Sequence, residues 1–211
     1  MILLLQFIGL VIKNMIDTYL QRHNIKHYSK EKIIYKYASG QDLNFTFFWK
    51  TSKGILDEGC FSQWQISHFS FRGIQYSSAE QFMMAHKAIA FNDRETLKEI
   101  MNESHPRKIK KLGRQIVNFN SDTWDKYKYC VALIGNYCKF DQNEKMKQIL
   151  INTGDNIIVE ASPYDKIWGV GLNATDSRIM NPFYWEGKNL LGFVLMKVRD
   201  YINFDVFNIY N

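Results

Sequence analysis

The sequence predicts a single α+β domain that is mainly helical, with a few short strands and an N-terminal extension. Helix start and stop signals recur from Ser77 to Asn152, and an apolar helical pattern returns after Leu190. Strand-like runs are short and aromatic, grouped before residue 77 with one more near residue 157. A length of 211 residues gives one domain room for a full core and an extension. The boundaries read as 1–43 for the extension, helical and then a linker, 44–203 for the domain, and 204–211 for a C-terminal tail.

The extension opens on Met1 to Ile12, apolar apart from Gln6 and too short to cross a bilayer as a helix. It has neither the basic start nor the small-residue cleavage site of a secretory signal. A helix running through Leu20 and packing on the body is expected, with a membrane-surface anchor as the alternative, and stable membrane insertion is not. Gln21 to Asp42 is polar and basic with little periodicity, so it reads as a connecting segment.

Asn44 to Lys50 is rich in Phe and reads as a strand, followed by a loop from Thr51 to Gly59. Phe61 to Tyr76 alternates roughly around Arg72-Gly73, which predicts a hairpin delivering the chain into a helix from Ser77 to Phe91. Ser77 with Glu80 three residues on is a capping-box start. Past that start nearly every position is apolar or small, so the helix should be buried on most sides.

Four further helices follow. Asn92 caps one to about Glu103, with Glu95 as its box partner. Pro106 opens and Gly113 stops a short basic one. Ser121 caps an aromatic one over Asp122 to Phe140, and another spans Asn143 to Ile151. Asn156 to Ala161 is a buried strand, and Ser162 to Asn173, with a proline and two glycines, is a loop. After a polar stretch, a last helix runs from Leu190 to Ile202 with Leu191, Val194, Leu195, Val198 and Ile202 apolar.

Glu80 and Lys87 are out of place in so apolar a helix. They lie seven residues apart, about two turns, which sets a carboxylate and an amine on one face where burial can move both pKa values. That makes the helix the expected floor of an active site. Glu80 has a plainer role as the capping-box partner, whereas Lys87 has no such local duty.

The totals narrow the chemistry. A net charge of +6, from 27 basic and 21 acidic residues, suits a phosphate-bearing small molecule or a nucleic acid. No like-charge block is long enough for a nucleic-acid arm. Cys60, Cys130 and Cys138 are odd in number and lack metal-ligand spacing, which fits a reduced, intracellular, cytoplasmic setting. The five histidines form no zinc motif, and phosphate-cradling glycine loops and dinucleotide fingerprints are missing. No metal and no cofactor are expected.

The order of motifs resembles the YbiA-like N-glycosidases, the NADAR family, from about Asn44 to Ile202. The resemblance is carried by Phe47-Phe48-Trp49, by Phe61-Ser62-Gln63-Trp64 and by the stretch from Ile74 to Ala88. It continues in Leu112-Gly113-Arg114-Gln115, Thr153-Gly154-Asp155, the stretch from Val159 to Leu172, and Gly187 to Gly192. Residues before about 43 have no counterpart.

The resemblance implies a mostly helical α+β fold and hydrolysis of an N-glycosidic bond to a phosphorylated ribose, a reaction that with no metal site in the sequence would be metal-independent. The substrates it implies are phosphoribosylaminopyrimidine intermediates of riboflavin biosynthesis, whose removal limits metabolite damage. Two alternatives stay open: an ADP-ribosyl glycohydrolase acting on modified nucleobases, with ADP-ribosylated nucleic acid as its partner, or a non-catalytic ADP-ribose-binding module.

Such a reaction stabilises positive charge on the ribose, protonates the leaving base and delivers a nucleophile to the anomeric carbon. Glu80 is expected to stabilise the oxocarbenium-like sugar. Lys87 is expected to act as nucleophile through a Schiff base, or as a cation holding substrate. Asp165, in the loop after the buried strand, is the expected general acid or base; an ordinary turn aspartate is its plainer reading.

Trp168 is expected to stack the base, and Asn189 to bond the base edge or ribose or to cap the last helix. Phe48, Trp49 and Trp64 would wall the pocket, with core packing as the alternative. Within the basic run Arg107 to Arg114, most of it a solvated face, Arg114 is expected to take the phosphate.

Overall fold

The computed structural model describes residues 27–203. The expected helix within the first twenty residues and the tail after 203 lie outside the described residues. The mainly helical α+β class holds. The described residues divide into two compact units, Ile66–Asn143 and the remainder, 27–65 with 144–203.

The first unit starts with two antiparallel strands, β1 (Ile66–Phe71) and β2 (Ile74–Ser78). Arg72 and Gly73 both take positive φ, 51° and 77°, which is the two-residue turn that matches the twist of a tight hairpin. Phe69 and Tyr76 face each other across the ladder with rings 5.8 Å apart, the kind of cross-strand pair that fixes register. The hairpin begins later than its sequence suggests, because Glu58–Phe61 forms a 3₁₀ turn instead of strand.

Helix α1 (Ala79–Ala90) follows without a linker. Its residues from Ala79 to Ala85 are all buried, and each large apolar side chain so buried contributes about 1.5–3 kcal/mol. Around it pack α2 (Arg94–Asn102), α3 (Pro106–Gln115) and α4 (Ser121–Asp141). Pro106 opens α3 as expected. Two caps differ from expectation. Asp93, not Asn92, caps α2, its carboxylate accepting from Thr96 N, while Asn92 takes φ 56° in the turn before it. Asn120, not Ser121, caps α4.

Gly113 is not a helix stop. It lies buried inside α3, where a Cβ would collide with the Met84 side chain of α1. Glycine is there so that the two helices can approach closely.

The second unit holds α5 (Lys30–Ala38), β3 (Phe45–Phe48), α6 (Glu144–Asn152), β4 (Ile157–Glu160) and α7 (Leu190–Asn203). Strands β3 and β4 pair in parallel, Phe45 opposite Ile157 through Phe48 opposite Glu160. Helix α5 corrects the reading of residues 21–42 as a connector: Ser29 caps it and Ile33 is its only buried residue. One apolar anchor in nine residues leaves almost no periodicity to detect.

The loop reading of Ser162 to Asn173 holds. The polar stretch after it contains two 3₁₀ turns, Ser177–Met180 and Pro182–Tyr184. Helix α7 is buried nearly all round, from Leu191 to Arg199. It sits so near β4 that a Cβ on Gly192 would strike the carbonyl of Ile158. The buried Arg199 guanidinium donates to Thr153 Oγ1 at 2.6 Å and Asn156 O at 3.0 Å, which offsets its desolvation.

Candidate functional site

In the first unit, Glu80 and Lys87 both lie on α1, and their local roles are the reverse of those expected. The sequence offers two overlapping capping boxes, Ser77 with Glu80 and Ser78 with Gln81. Because β2 runs through Ser78, the helix starts one residue later than expected. Ser78 is the cap and accepts from Gln81 N at 3.2 Å. Gln81 Oε1 reaches back to accept from Ser77 N at 2.7 Å, while its Nε2 donates to the carbonyls of Ile100 and Glu103. Glu80 is thus relieved of the box role. It lies in the first helical turn, 3% exposed, where the helix dipole favours a carboxylate.

Lys87 does have a local duty. Its Nζ donates to Gly113 O at 2.7 Å. That carbonyl belongs to the last turn of α3, where helix carbonyls have no intrahelical partner. The amine therefore caps a neighbouring helix, with the favourable sign for a C-terminal dipole. The same Nζ stands 4.0 Å from the centre of the Phe119 ring. Burial pushes the Lys87 pKa down, Glu80 pulls it up, and Arg114 adds to the depression. More of this amine is neutral at a given pH than in an ordinary lysine.

Arg114 is exposed, one residue past the carbonyl that Lys87 caps, and its charge is felt at Lys87. The rest of the basic helix is a solvated face around the buried Ile109, with Lys108 paired to Glu103 at 3.5 Å. His86, next to Lys87, stacks on Phe82 at 4.0 Å and bonds the Phe82 carbonyl through Nδ1 at 2.9 Å. Burial lowers its pKa. It is a core-edge histidine.

In the second unit the expected residues cluster around the loop after β4. Asp165 Oδ1 accepts from Ile167 N at 2.9 Å and Trp168 N at 2.8 Å. The turn reading of Asp165 is therefore real, at least for this oxygen. Trp168 is half-buried, and its carbonyl accepts from Leu191 N at the start of α7.

Asn189 is wholly buried, at φ 54°. Its Oδ1 accepts from Glu160 N at 3.0 Å, its Nδ2 donates to Ile158 O at 2.9 Å, and its backbone N–H bonds Gly169 O. The amide ties β4 to the entry of α7. Each end of the amide makes one bond to the backbone, which is a structural use of the side chain. Its own carbonyl accepts from Phe193 N, so Asn189 occupies the cap position at the start of α7.

Phe48 is buried edge-on against Phe61 at 5.6 Å, which is core packing. Trp49 is half-buried, 6.0 Å from Tyr164, with Lys50 Nζ over its ring at 5.0 Å. Tyr164 is 87% exposed, so Trp49 and Tyr164 form an open aromatic pair. Trp64 is half-buried, and its backbone N–H donates to Ser62 Oγ.

Sequence reasoning missed two residues. Phe119 carries no motif and could be found only by its contact with Lys87. Gln63 is 9% exposed, yet neither its Nε2 nor its Oε1 has a hydrogen-bond partner among the described residues. Burial without partners is not encoded by residue type. Among the described residues, no three His, Cys, Asp or Glu side chains are grouped to hold a metal ion, and no helix is long and apolar enough to cross a membrane.

The NADAR domain pattern matches residues 47–203. The chain is 46% identical over 161 residues to N-glycosidase R617 of Acanthamoeba polyphaga mimivirus, covering 74% of this chain and 95% of that protein. The NMR structure of E. coli YbiA matches with a TM-score of 0.63 at 25% identity, over 77% of this chain and 86% of that one. A more distant similarity, 27% over 134 residues, is to "Riboflavin biosynthesis protein PYRR, chloroplastic" of Zea mays; it covers 60% of this chain and 20% of the maize protein.

Proposed function

We propose that this chain, which belongs to the NADAR family and is a hydrolase acting on N-glycosyl compounds, cleaves phosphoribosylaminopyrimidine intermediates of riboflavin biosynthesis. The observation that carries the proposal is Lys87: a half-buried amine of lowered pKa, on the same buried helix as Glu80. The name of the maize relative favours the riboflavin substrate class.

In the proposed reaction the Lys87 Nζ lone pair bonds the anomeric carbon as the bond from that carbon to the base nitrogen breaks. The electron pair of the broken bond stays on the base, which takes up a proton. Ring opening converts the sugar–lysine adduct to an imine, and water hydrolyses it, regenerating the amine and freeing ribose 5-phosphate. Glu80, buried in the first turn of α1, stabilises the positive charge on the sugar. Arg114 is proposed to take the phosphate.

Asp165 is proposed as a proton-transfer group on the strength of its loop position, with Oδ1 held by the turn. Trp168 is half-buried and retains the base-stacking proposal, and Trp49 and Trp64, also half-buried, retain the proposal that they wall the pocket. Phe48 is buried in the core.

Offering purified protein both a phosphoribosylaminopyrimidine and an ADP-ribosylated nucleobase tests the substrate. Release of ribose 5-phosphate from the first is expected. Release of ADP-ribose alone would move the chain to the base-repair alternative. Tight nucleotide binding with release from neither would leave only a binding module.

A further inference from the structure

We propose that Phe119 is a positioning residue for Lys87: its ring and the Gly113 carbonyl together fix where the Lys87 amine points. The inference rests on the glycosidase reading for its catalytic consequence, but the placement itself can be tested without turnover.

Lys87 Nζ makes the 2.7 Å bond to Gly113 O and meets the Phe119 ring face at 4.0 Å. A lysine tip has rotatable donors and a flexible stem, so a single hydrogen bond leaves its direction loose. A ring at this distance attracts the ammonium form and restricts the stem. The neutral amine keeps the same steric wall.

Phe119 is 46% exposed, so core burial alone does not account for its position. The segment that presents it is pinned at several points. Ile116 is buried, and Val117 N donates to the buried Asp93 carboxylate at 3.0 Å. Asn118 turns the chain at φ 56°, and Asn120 caps α4 by accepting from Thr123 N. Phe91, which ends α1, meets the Phe119 ring edge-on at 5.2 Å. The short connection between α3 and α4 thus holds an exposed aromatic face against the amine.

The test compares Phe119→Leu, which keeps apolar bulk and loses the ring face, with Phe119→Tyr, which keeps both. The first readout is the ¹H–¹³C NMR signal of the Lys87 ε-methylene, assigned with Lys87→Arg. Ring current should shift it upfield in the wild type and in Phe119→Tyr, and the shift should vanish in Phe119→Leu. No upfield shift in the wild type overturns the placement, whether or not the protein turns over substrate.

The second readout is kcat and KM on the phosphoribosylaminopyrimidine. Phe119→Leu should lose about tenfold in kcat with KM nearly unchanged, since a loosened nucleophile costs orientation, while Phe119→Tyr stays near the wild type. Wild-type kcat in Phe119→Leu would overturn the positioning role. A raised KM with unchanged kcat would also overturn it, by making the ring a substrate contact. Failure of every variant and of the wild type to hydrolyse would count against the glycosidase reading, and the NMR shift would still decide Phe119.

Discussion

The two charges on α1 are held differently from three polar residues of the second unit. There, Asn189 bridges Ile158 and Glu160, Asp165 Oδ1 closes a turn, and Arg199 bonds Thr153 Oγ1 and the Asn156 carbonyl. In the first unit, Glu80 is buried without the capping role its sequence offered, because Gln81 performs it. Lys87 caps a helix yet keeps an amine of lowered pKa against an exposed ring. A polar group fully occupied by backbone partners supports structure. On the proposed function, Lys87 combines such a structural bond with chemistry at its amine.

Separating the two duties of Lys87 should give the largest effect. Lys87→Arg keeps a cation able to reach Gly113 O but removes the nucleophile, so kcat should fall by on the order of a thousandfold with little change in Tm. Lys87→Met should lose both activity and stability. Activity within tenfold of wild type in Lys87→Arg would reduce Lys87 to a helix cap and erase the contrast between the units.

Asn189→Ala should show the opposite pattern. Two buried backbone groups lose their partners, at about 2–4 kcal/mol by denaturant unfolding, while kcat per folded molecule changes less than twofold. A large kcat loss in fully folded protein would place chemistry at this amide.

Gln63, also in the second unit, has a buried amide without a hydrogen-bond partner among the described residues. Replacing it by Leu removes an unsatisfied buried group and should stabilise by about 1 kcal/mol, or about 2–4 °C in Tm at this chain size. A stability gain accompanied by a rise in KM would mean that the amide serves substrate, and the contrast would have to be redrawn.

The smallest effect concerns pH. Burial pushes the Asp93 pKa up, but the N–H groups of Val117 and Thr96 outweigh it and hold the carboxyl below its usual value. Its contribution is present above the unfolded value near 3.9 and is lost as pH falls through the lower folded value. Wild type should therefore exceed Asp93→Asn in stability at pH 7, with the gap closing below about pH 4. A gap independent of pH would assign the effect to packing.

Much of the fold is legible in the sequence because its signals are local. Arg72-Gly73 between apolar runs requires a tight turn, and Pro106 can only open a helix. What escaped depends on neighbours distant in sequence. Gly113 resembles a stop until Met84 is seen against it, and α5 is nearly silent because one residue anchors it. At the candidate site, Ser77-Ser78 and Glu80-Gln81 allow two capping registers, and only the end of β2 selects between them. The buried helix with its two charges could be read directly. The partners Gly113 and Phe119 lie 26 and 32 residues beyond Lys87, so their contacts follow from packing and not from spacing.

Borohydride trapping tests the central claim most directly. Reduction during turnover of the phosphoribosylaminopyrimidine should leave a ribose 5-phosphate adduct on one lysine, and peptide mass spectrometry should place it at Lys87. Active protein that yields no adduct, or carries it on another lysine, would contradict the account.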